Sequence, residues 1–296
     1  MRGRKFEDII NCGTISDYQI FVKACEEKIK MAQMKEHSFI FFRGQSNALW
    51  GIEPSILRKD KHKQKKEHKE EYGKLWNSKL SSFENIAKIQ HTYEHGISTR
   101  FIDLTLDYKV ALYFACKEQN QTEDGAIFVI EYDPVSEESI YTKIASEFFT
   151  ITKPIKGSDF LNNFLKKYPD FNRDYVASTI VAIIDFGFIV MPSERELEKA
   201  KTFCPRLVAQ KGCFLVCPNS HCFKGRIITS NDVEEGILLP KVANPMFIVR
   251  EDKSEAQITE NFYKNFCTKY VIPANFKNKI LEELKKENIT AESLQI

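Results

Sequence analysis

The sequence predicts a single α+β domain with N-terminal helices and a mixed or antiparallel β-sheet. Three observations carry that expectation. Helical periodicity concentrates early in the chain, strand-like apolar runs crowd the region after residue 206, and no linker-like stretch separates them across 296 residues. The composition, 43% hydrophobic and 28% charged, is that of a globular protein with a sizeable core and excludes a disordered chain. We divide it into an N-terminal helical extension, 1–37, and one domain, 38–296.

Residues 16–36 read as a helix, with Ser16-Asp17-Tyr18-Gln19 as a capping box and Phe21, Cys25 and Ile29 at helical spacing. Ser38 to Arg43 reads as a strand ended by Gly44. Alternation puts Phe39, Phe41 and Arg43 on one face, so a guanidinium shares a face with two phenylalanines and must meet an anion, a polar ligand or water. Leu75, Trp76, Leu80, Phe83 and Ala87 mark an amphipathic helix over 72–90. Asp107 caps a helix that buries Val110, Ala111, Phe114 and Ala115, and Gly125–Glu131 is a strand. Further on, 160–168 and 193–203 are expected helices, and 180–184 a buried strand. Strand candidates follow at 206–210, 213–217, 226–229, 246–249 and 270–272, before a charged helix at 275–288.

Charge excludes little. The formal balance is +2, too near neutral to argue for nucleic acid. The run at 58–71 holds seven basic and four acidic residues without aromatics, and reads as a solvated loop. The longest apolar run, Val110–Cys116, is far below the ~18 residues a membrane helix needs. No apolar stretch follows the basic start, as a secretory signal would require, so the eight cysteines read as reduced thiols of a cytoplasmic protein. No membrane association is expected.

Motifs for nucleotide loops, zinc proteases and serine hydrolases are absent. Cys213, Cys217, His221 and Cys222 lie close enough to suggest zinc. Strand alternation instead puts Cys213 and Cys217 on one face with Leu215, so no metal is expected. The polar residues that remain sit at structural transitions: Arg43-Gly44-Gln45, the stretch His95–Thr105, and Arg206–Phe214.

At these residues the chain resembles the FRG-domain proteins of bacteria and their phages. The resemblance begins at Phe42-Arg43-Gly44 and runs through Gln45, Trp50, Pro54, Ser55 and Arg58. Gly96, Thr99-Arg100, Asp103, Thr105, Val110–Ala115 and Asp124-Gly125-Ala126 continue it, followed by Arg206, Gln210, Gly212, Phe214 and a closing helix. Glu94 stands where the family usually has histidine, with His91 and His95 as replacements. Leu104 stands for a usual tryptophan, and Asp107-Tyr108 for Asn-Pro.

A second, fainter similarity is to NAD-dependent ADP-ribosyltransferases, whose fold carries a split β-sheet. It implies Arg43 as dinucleotide anchor, Ser98 and Thr99 as support for a nicotinamide pocket, and Gln210 at the place of a ribose-holding glutamate. On this reading Arg43, Gln210 and Thr99 are the catalytic candidates. Arg43, Gly44, Gln45, Ser98, Arg100, Asp103 and Phe114 would hold NAD, the guanidinium on pyrophosphate and an aromatic ring on nicotinamide. Two functions follow. One is a nucleotide-handling, ADP-ribosyltransferase-like effector with a protein or nucleic-acid target, acting as a toxin or in phage defence. The other is a ligand-sensing or protein-interaction module using the same pocket. A glutamate converging on the Arg43 pocket favours the first, and a pocket with no acid near it favours the second.

Overall fold

The computed structural model describes residues 11–35, 38–50, 52, 86–92, 99, 101–117, 122–136, 139–149, 154–185, 187–216, 228–239 and 267–296. The expected charged loop at 58–71, most of the helix at 72–90 and the strand at 246–249 lie outside these residues.

A seven-stranded sheet organises the chain, in the order β1-β9-β4-β2-β3-β7-β6. Its strands are β1 (Asn11–Thr14), β2 (Phe39–Gln45), β3 (Phe101–Thr105), β4 (Gly125–Tyr132), β6 (Phe188–Val190), β7 (Gly212–Val216) and β9 (Cys267–Ile272). The β1–β9 pair is parallel and the other pairs are antiparallel. A second sheet of two strands pairs β5 (Ile155–Lys156) with β8 (Leu238–Leu239). The fold is α+β, as the sequence predicts, although three of the strands that form its centre lie before residue 133 rather than late in the chain.

Both faces of the sheet are covered, which is why β4 reads as an apolar run, GAIFVI, instead of alternating. On one face Phe41, Ile102, Leu104, Phe128 and Leu215 form one cluster, covered in part by Ala48 and Ile52. The other face carries two separate clusters. Over β9, β4 and β2, the helices α1 (Tyr18–Gln33), α2 (Tyr108–Cys116) and α9 (Lys277–Lys286) pack on Phe42, Ile127, Val129 and Ile272. Over β3, β7 and β6, the helices α3 (Ile140–Phe149), α4 (Gly157–Lys167) and α5 (Arg173–Asp185) pack on Phe101, Phe214, Val216 and Phe188. The residues expected to form an N-terminal extension contain β1 as well as α1, and both join this body.

The seam between the two clusters runs between β2 and β3. There the ladder has a single register pair, Phe42 with Thr105, whereas β2 and β4 share seven. Small and polar side chains (Gly44, Asp103, Thr105 and Gly212) interrupt the apolar face at this seam.

Several expectations are corrected. Residues 180–184 belong to α5, not a strand: the side chain of Asn172 caps its first turn, and Val176, Ala177 and Ile180 recur at helical spacing and are buried. A short apolar run does not distinguish a buried strand from one side of a buried helix. Residues 206–210 are likewise not a strand. Pro205 starts the short helix α7 (Pro205–Ala209), Lys211 turns through φ 47°, and β7 begins only at Gly212. Thr229, expected to end a strand, instead caps the helix α8 (Ser230–Glu234). The cap of α1 is Asp17, whose carboxylate accepts from the Ile20 backbone, and the Ser16 box does not form. The helix α6 (Glu194–Phe203) does begin with a capping box, made by Ser193 and Glu196.

Candidate functional site

A cleft of about 260 Å³ opens at the seam. Its floor is Phe42, Arg43 and Gly44 of β2 with Asp103, Leu104 and Thr105 of β3. One wall is α2, through Val110, Ala111 and Phe114. The other comes from His91, Arg206 and Gln210, and Lys117 and Ile296 complete the rim. A larger groove of about 560 Å³ lies along residues 131–135, but its charged pair, Lys35 with Glu131, is already satisfied and exposed.

Arg43 is placed by the parting of the ladder. Past the Phe42–Thr105 pair, the backbone carbonyl of Asp103 accepts from Arg43 Nη1 at 2.7 Å, where a continuous sheet would offer it a backbone amide. The guanidinium therefore holds β3 against β2 while facing the cleft.

Asp103 is the centre of the site. Its carboxylate accepts from His91 Nε2 at 3.2 Å, and from Gln90 Nε2 at 3.3 Å on each oxygen. Partial desolvation works to raise this carboxyl. The His91 hydrogen bond, with Arg43 and Gln90, outweighs that effect and holds it below the ordinary carboxylate range, so it is ionised at neutral pH. About half of the side chain is exposed, which leaves a carboxylate edge to the cleft.

His91 sits on a single π-helical turn, Lys88–Thr92, and its side chain is nearly buried against the Phe214 ring, 5.7 Å between centroids. Such turns recur at functional sites because they shift the register of the side chains that follow. Its second nitrogen, Nδ1, lies 2.7 Å from Arg206 Nη2.

Gln210 caps α7. Thr105 Oγ1 donates to its carbonyl at 2.6 Å, and its amide Nε2 donates to the Leu294 carbonyl at 3.0 Å. Phe114 presents a half-buried ring with the Lys117 ammonium 4.7 Å from its centre.

Of the residues expected from sequence, Arg43, Gly44, Asp103, Phe114 and Gln210 come together in this cleft. Thr99 does not reach it: it is buried, and its hydroxyl bonds Gln90 and receives the Phe101 amide, so it steadies the residue that holds Asp103. Gln45 is buried further along β2, opposite Ala126, and does not line the cleft. Ser98 and Arg100 lie outside the described residues. Gln90 and Lys117 carried no sequence signal, and His91 stood out only as a replacement for the family histidine. Cys213 is buried within β7, paired with Leu104, and Cys217, His221 and Cys222 lie outside the described residues. Among the described residues no cluster of metal-ligating side chains occurs.

The family model described as the FRG domain matches residues 38–124, from the residue before β2 to the residue before β4. This segment is an FRG domain. It supplies Arg43, Gly44, His91, Asp103, Phe114 and Lys117, while Arg206, Gln210 and Ile296 reach the FRG cleft from beyond the match. No curated protein and no solved structure matches the chain. Among the described residues, no helix is long and apolar enough to cross a membrane.

Proposed function

We propose that the FRG cleft handles a nucleotide, with NAD as the substrate of an ADP-ribosyltransferase-like or NAD-glycohydrolase-like reaction. One observation carries this reading: an ionised carboxylate, Asp103, shares a small cleft with Arg43, Lys117 and the Phe114 ring. Guanidinium and ammonium suit a diphosphate ester, and an aromatic face suits nicotinamide. Breaking the glycosidic bond sends its electron pair to the nicotinamide ring and leaves positive charge on the ribose. A fixed carboxylate stabilises that charge as it develops. Water or a nucleophile of the target then bonds to the ribose carbon and releases its proton. Asp103 takes the part that the sequence resemblance assigned to Gln210, whose amide already serves the Leu294 carbonyl. The toxin or phage-defence setting rests on the family resemblance.

The second reading, a ligand-sensing module without turnover, is favoured by that same Gln210–Leu294 bond and by Ile296 at the cleft rim, which restrict access. Nicotinamide release from NAD separates the two. Release by the parent protein, lost about 100-fold or more in Asp103→Asn but little changed in Gln210→Ala, supports the enzyme. Bound nucleotide with no release above background from the parent leaves the sensor.

A further inference from the structure

We infer that Arg206 is a second anion-binding guanidinium of the FRG cleft, held back by His91 until that imidazole takes up a proton. The inference rests on the reading of the cleft as a site for a diphosphate ester.

The hydrogen bonds assign the proton positions. Arg206 Nη2 stands 2.7 Å from His91 Nδ1, and a guanidinium can only donate. Nδ1 must therefore be the acceptor, and the ring hydrogen sits on Nε2, directed at Asp103 Oδ1. In this arrangement His91 is neutral. A second proton would go to Nδ1 and point straight at the guanidinium, which removes that bond and sets two cations face to face.

The other contacts decide which partner moves. The Nε2 bond to the Asp103 carboxylate survives protonation and strengthens, because it becomes charge-assisted. His91 is further held by the Phe214 ring, and Asp103 by Gln90. Arg206, by contrast, is exposed and stands on a helix of five residues. Among the described residues, the charged groups around His91 are Asp103 from β3, Arg206 from α7 and, across Asp103, Arg43 from β2; β7 contributes the uncharged Phe214 ring. Protonation therefore leaves His91 seated and frees Arg206 toward the cleft that it lines.

The freed guanidinium faces the cleft together with Arg43, which stays on the Asp103 carbonyl. Two linked phosphates match two guanidiniums better than one phosphate does. Such an anion favours both the released Arg206 and the imidazolium behind it, so binding takes up a proton. Its affinity must then rise as pH falls, because binding and proton uptake are linked. A diphosphate diester stays fully ionised across the mildly acidic range, so the pH dependence belongs to the protein.

The test is calorimetric titration with ADP-ribose at about pH 7.5 and about pH 5.5, in buffers of different ionisation enthalpy so that proton uptake is read directly. The parent is expected to bind about tenfold tighter at the lower pH, with net proton uptake. Arg206→Ala, an exposed substitution, should lose most of that gain. His91→Ala should bind with affinity independent of pH. Parent affinity that does not change with pH, an Arg206→Ala variant that follows the parent, or no ADP-ribose binding at either pH each overturns the inference. The catalytic reading is judged apart from this. Proton-linked ADP-ribose binding without nicotinamide release removes turnover and keeps the Arg206 gate. Nicotinamide release without proton-linked binding does the reverse.

Discussion

A Cβ placed on Gly44 would stand 1.8 Å from the backbone carbonyl oxygen of Ala111 and 2.8 Å from the amide nitrogen of Ala115. The glycine of the Phe42-Arg43-Gly44 motif is thus a packing requirement. It lets α2 lie directly on β2, which brings the Phe114 ring and Lys117 to the cleft that Arg43 occupies. Backbone atoms cannot yield as a flexible side chain would. Gly44→Ala is expected to destabilise the protein by about 3 kcal/mol, at the upper end for overpacking. Urea denaturation checks this, and a change below about 0.5 kcal/mol would show that α2 slides freely on the sheet.

Asp103 makes stability depend on pH in one direction. Its folded carboxyl lies below the ordinary Asp value of about 3.9, so in that window the unfolded chain binds more protons than the native one. The contribution is fully present above pH ~4 and is lost as pH falls through the folded value. Glu131 and Glu287, each hydrogen-bonded to a lysine, shift the same way and add to the slope. Asp103→Asn should therefore flatten, without abolishing, the fall in melting temperature below pH ~4. A parent and variant with parallel acid profiles would refute the coupling of Asp103 to His91 and Arg43.

How far this site was legible in the sequence depends on the range of the forces that place it. Arg43 and Asp107 stood out because local rules govern them: a strand end with a charge on an apolar face, and a polar residue before an apolar helix; Asp103 stood out through the family resemblance. Asp107 indeed caps α2 through the Lys109 amide. His91 and Arg206 are 115 residues apart, and their contact needs a π-turn and a short helix after a proline, neither of which leaves a periodic pattern. The single-pair ladder between β2 and β3 left no pattern in the sequence, since its cause is a side chain, Arg43, taking a carbonyl that backbone usually takes. Ile296 reaches the cleft only through tertiary contacts, among them the Gln210 amide on the Leu294 carbonyl.

Burial determines the chemistry of the thiols. Desolvation pushes Cys25 and Cys116 up to about 12, and raises Cys213 and Cys267 further still. A thiol is nucleophilic as thiolate, so these four are inert in the folded protein. Native alkylation at pH ~8, mapped by peptide mass, should leave all four unmodified, and denaturant should expose them together. Rapid native labelling of Cys116 would show that α2 opens locally, against the close packing at Gly44.

Lys277 opens α9 with its ammonium buried and donating to the Ser46 carbonyl at 2.7 Å, while Lys269 donates to the Ala48 carbonyl at 2.6 Å. Two lysines from the C-terminal part thereby hold the loop that follows Arg43-Gly44-Gln45. Lys277→Ala removes both the donor and the packed stem, and should cost about 3 kcal/mol. Lys277→Met keeps the stem and should cost only about 1 kcal/mol. Both variants should speed hydrogen exchange in residues 46–48. Equal stability losses in the two would assign the effect to the charge rather than to the stem.

The segment 290–296 is a local unit with two anchors. Its own bonds are short-range, Thr290 with Ser293 and the Ile296 amide with the Ala291 carbonyl, so among the described residues little else ties it to the body. The anchors are the buried Leu294 side chain and the Gln210 amide on the Leu294 carbonyl. Leu294→Asp places a charge in the anchor pocket, which the segment escapes by detaching instead of unfolding the sheet. Hydrogen exchange should then accelerate across 290–296 while the global denaturation midpoint moves little, and Gln210→Ala should give a weaker form of the same pattern. Detachment also takes Ile296 from the cleft rim, so on the proposed nucleotide reading ADP-ribose should associate faster with the Leu294→Asp variant. A variant that loses global stability without selective exchange at 290–296 would show instead that the segment belongs to the cooperative core.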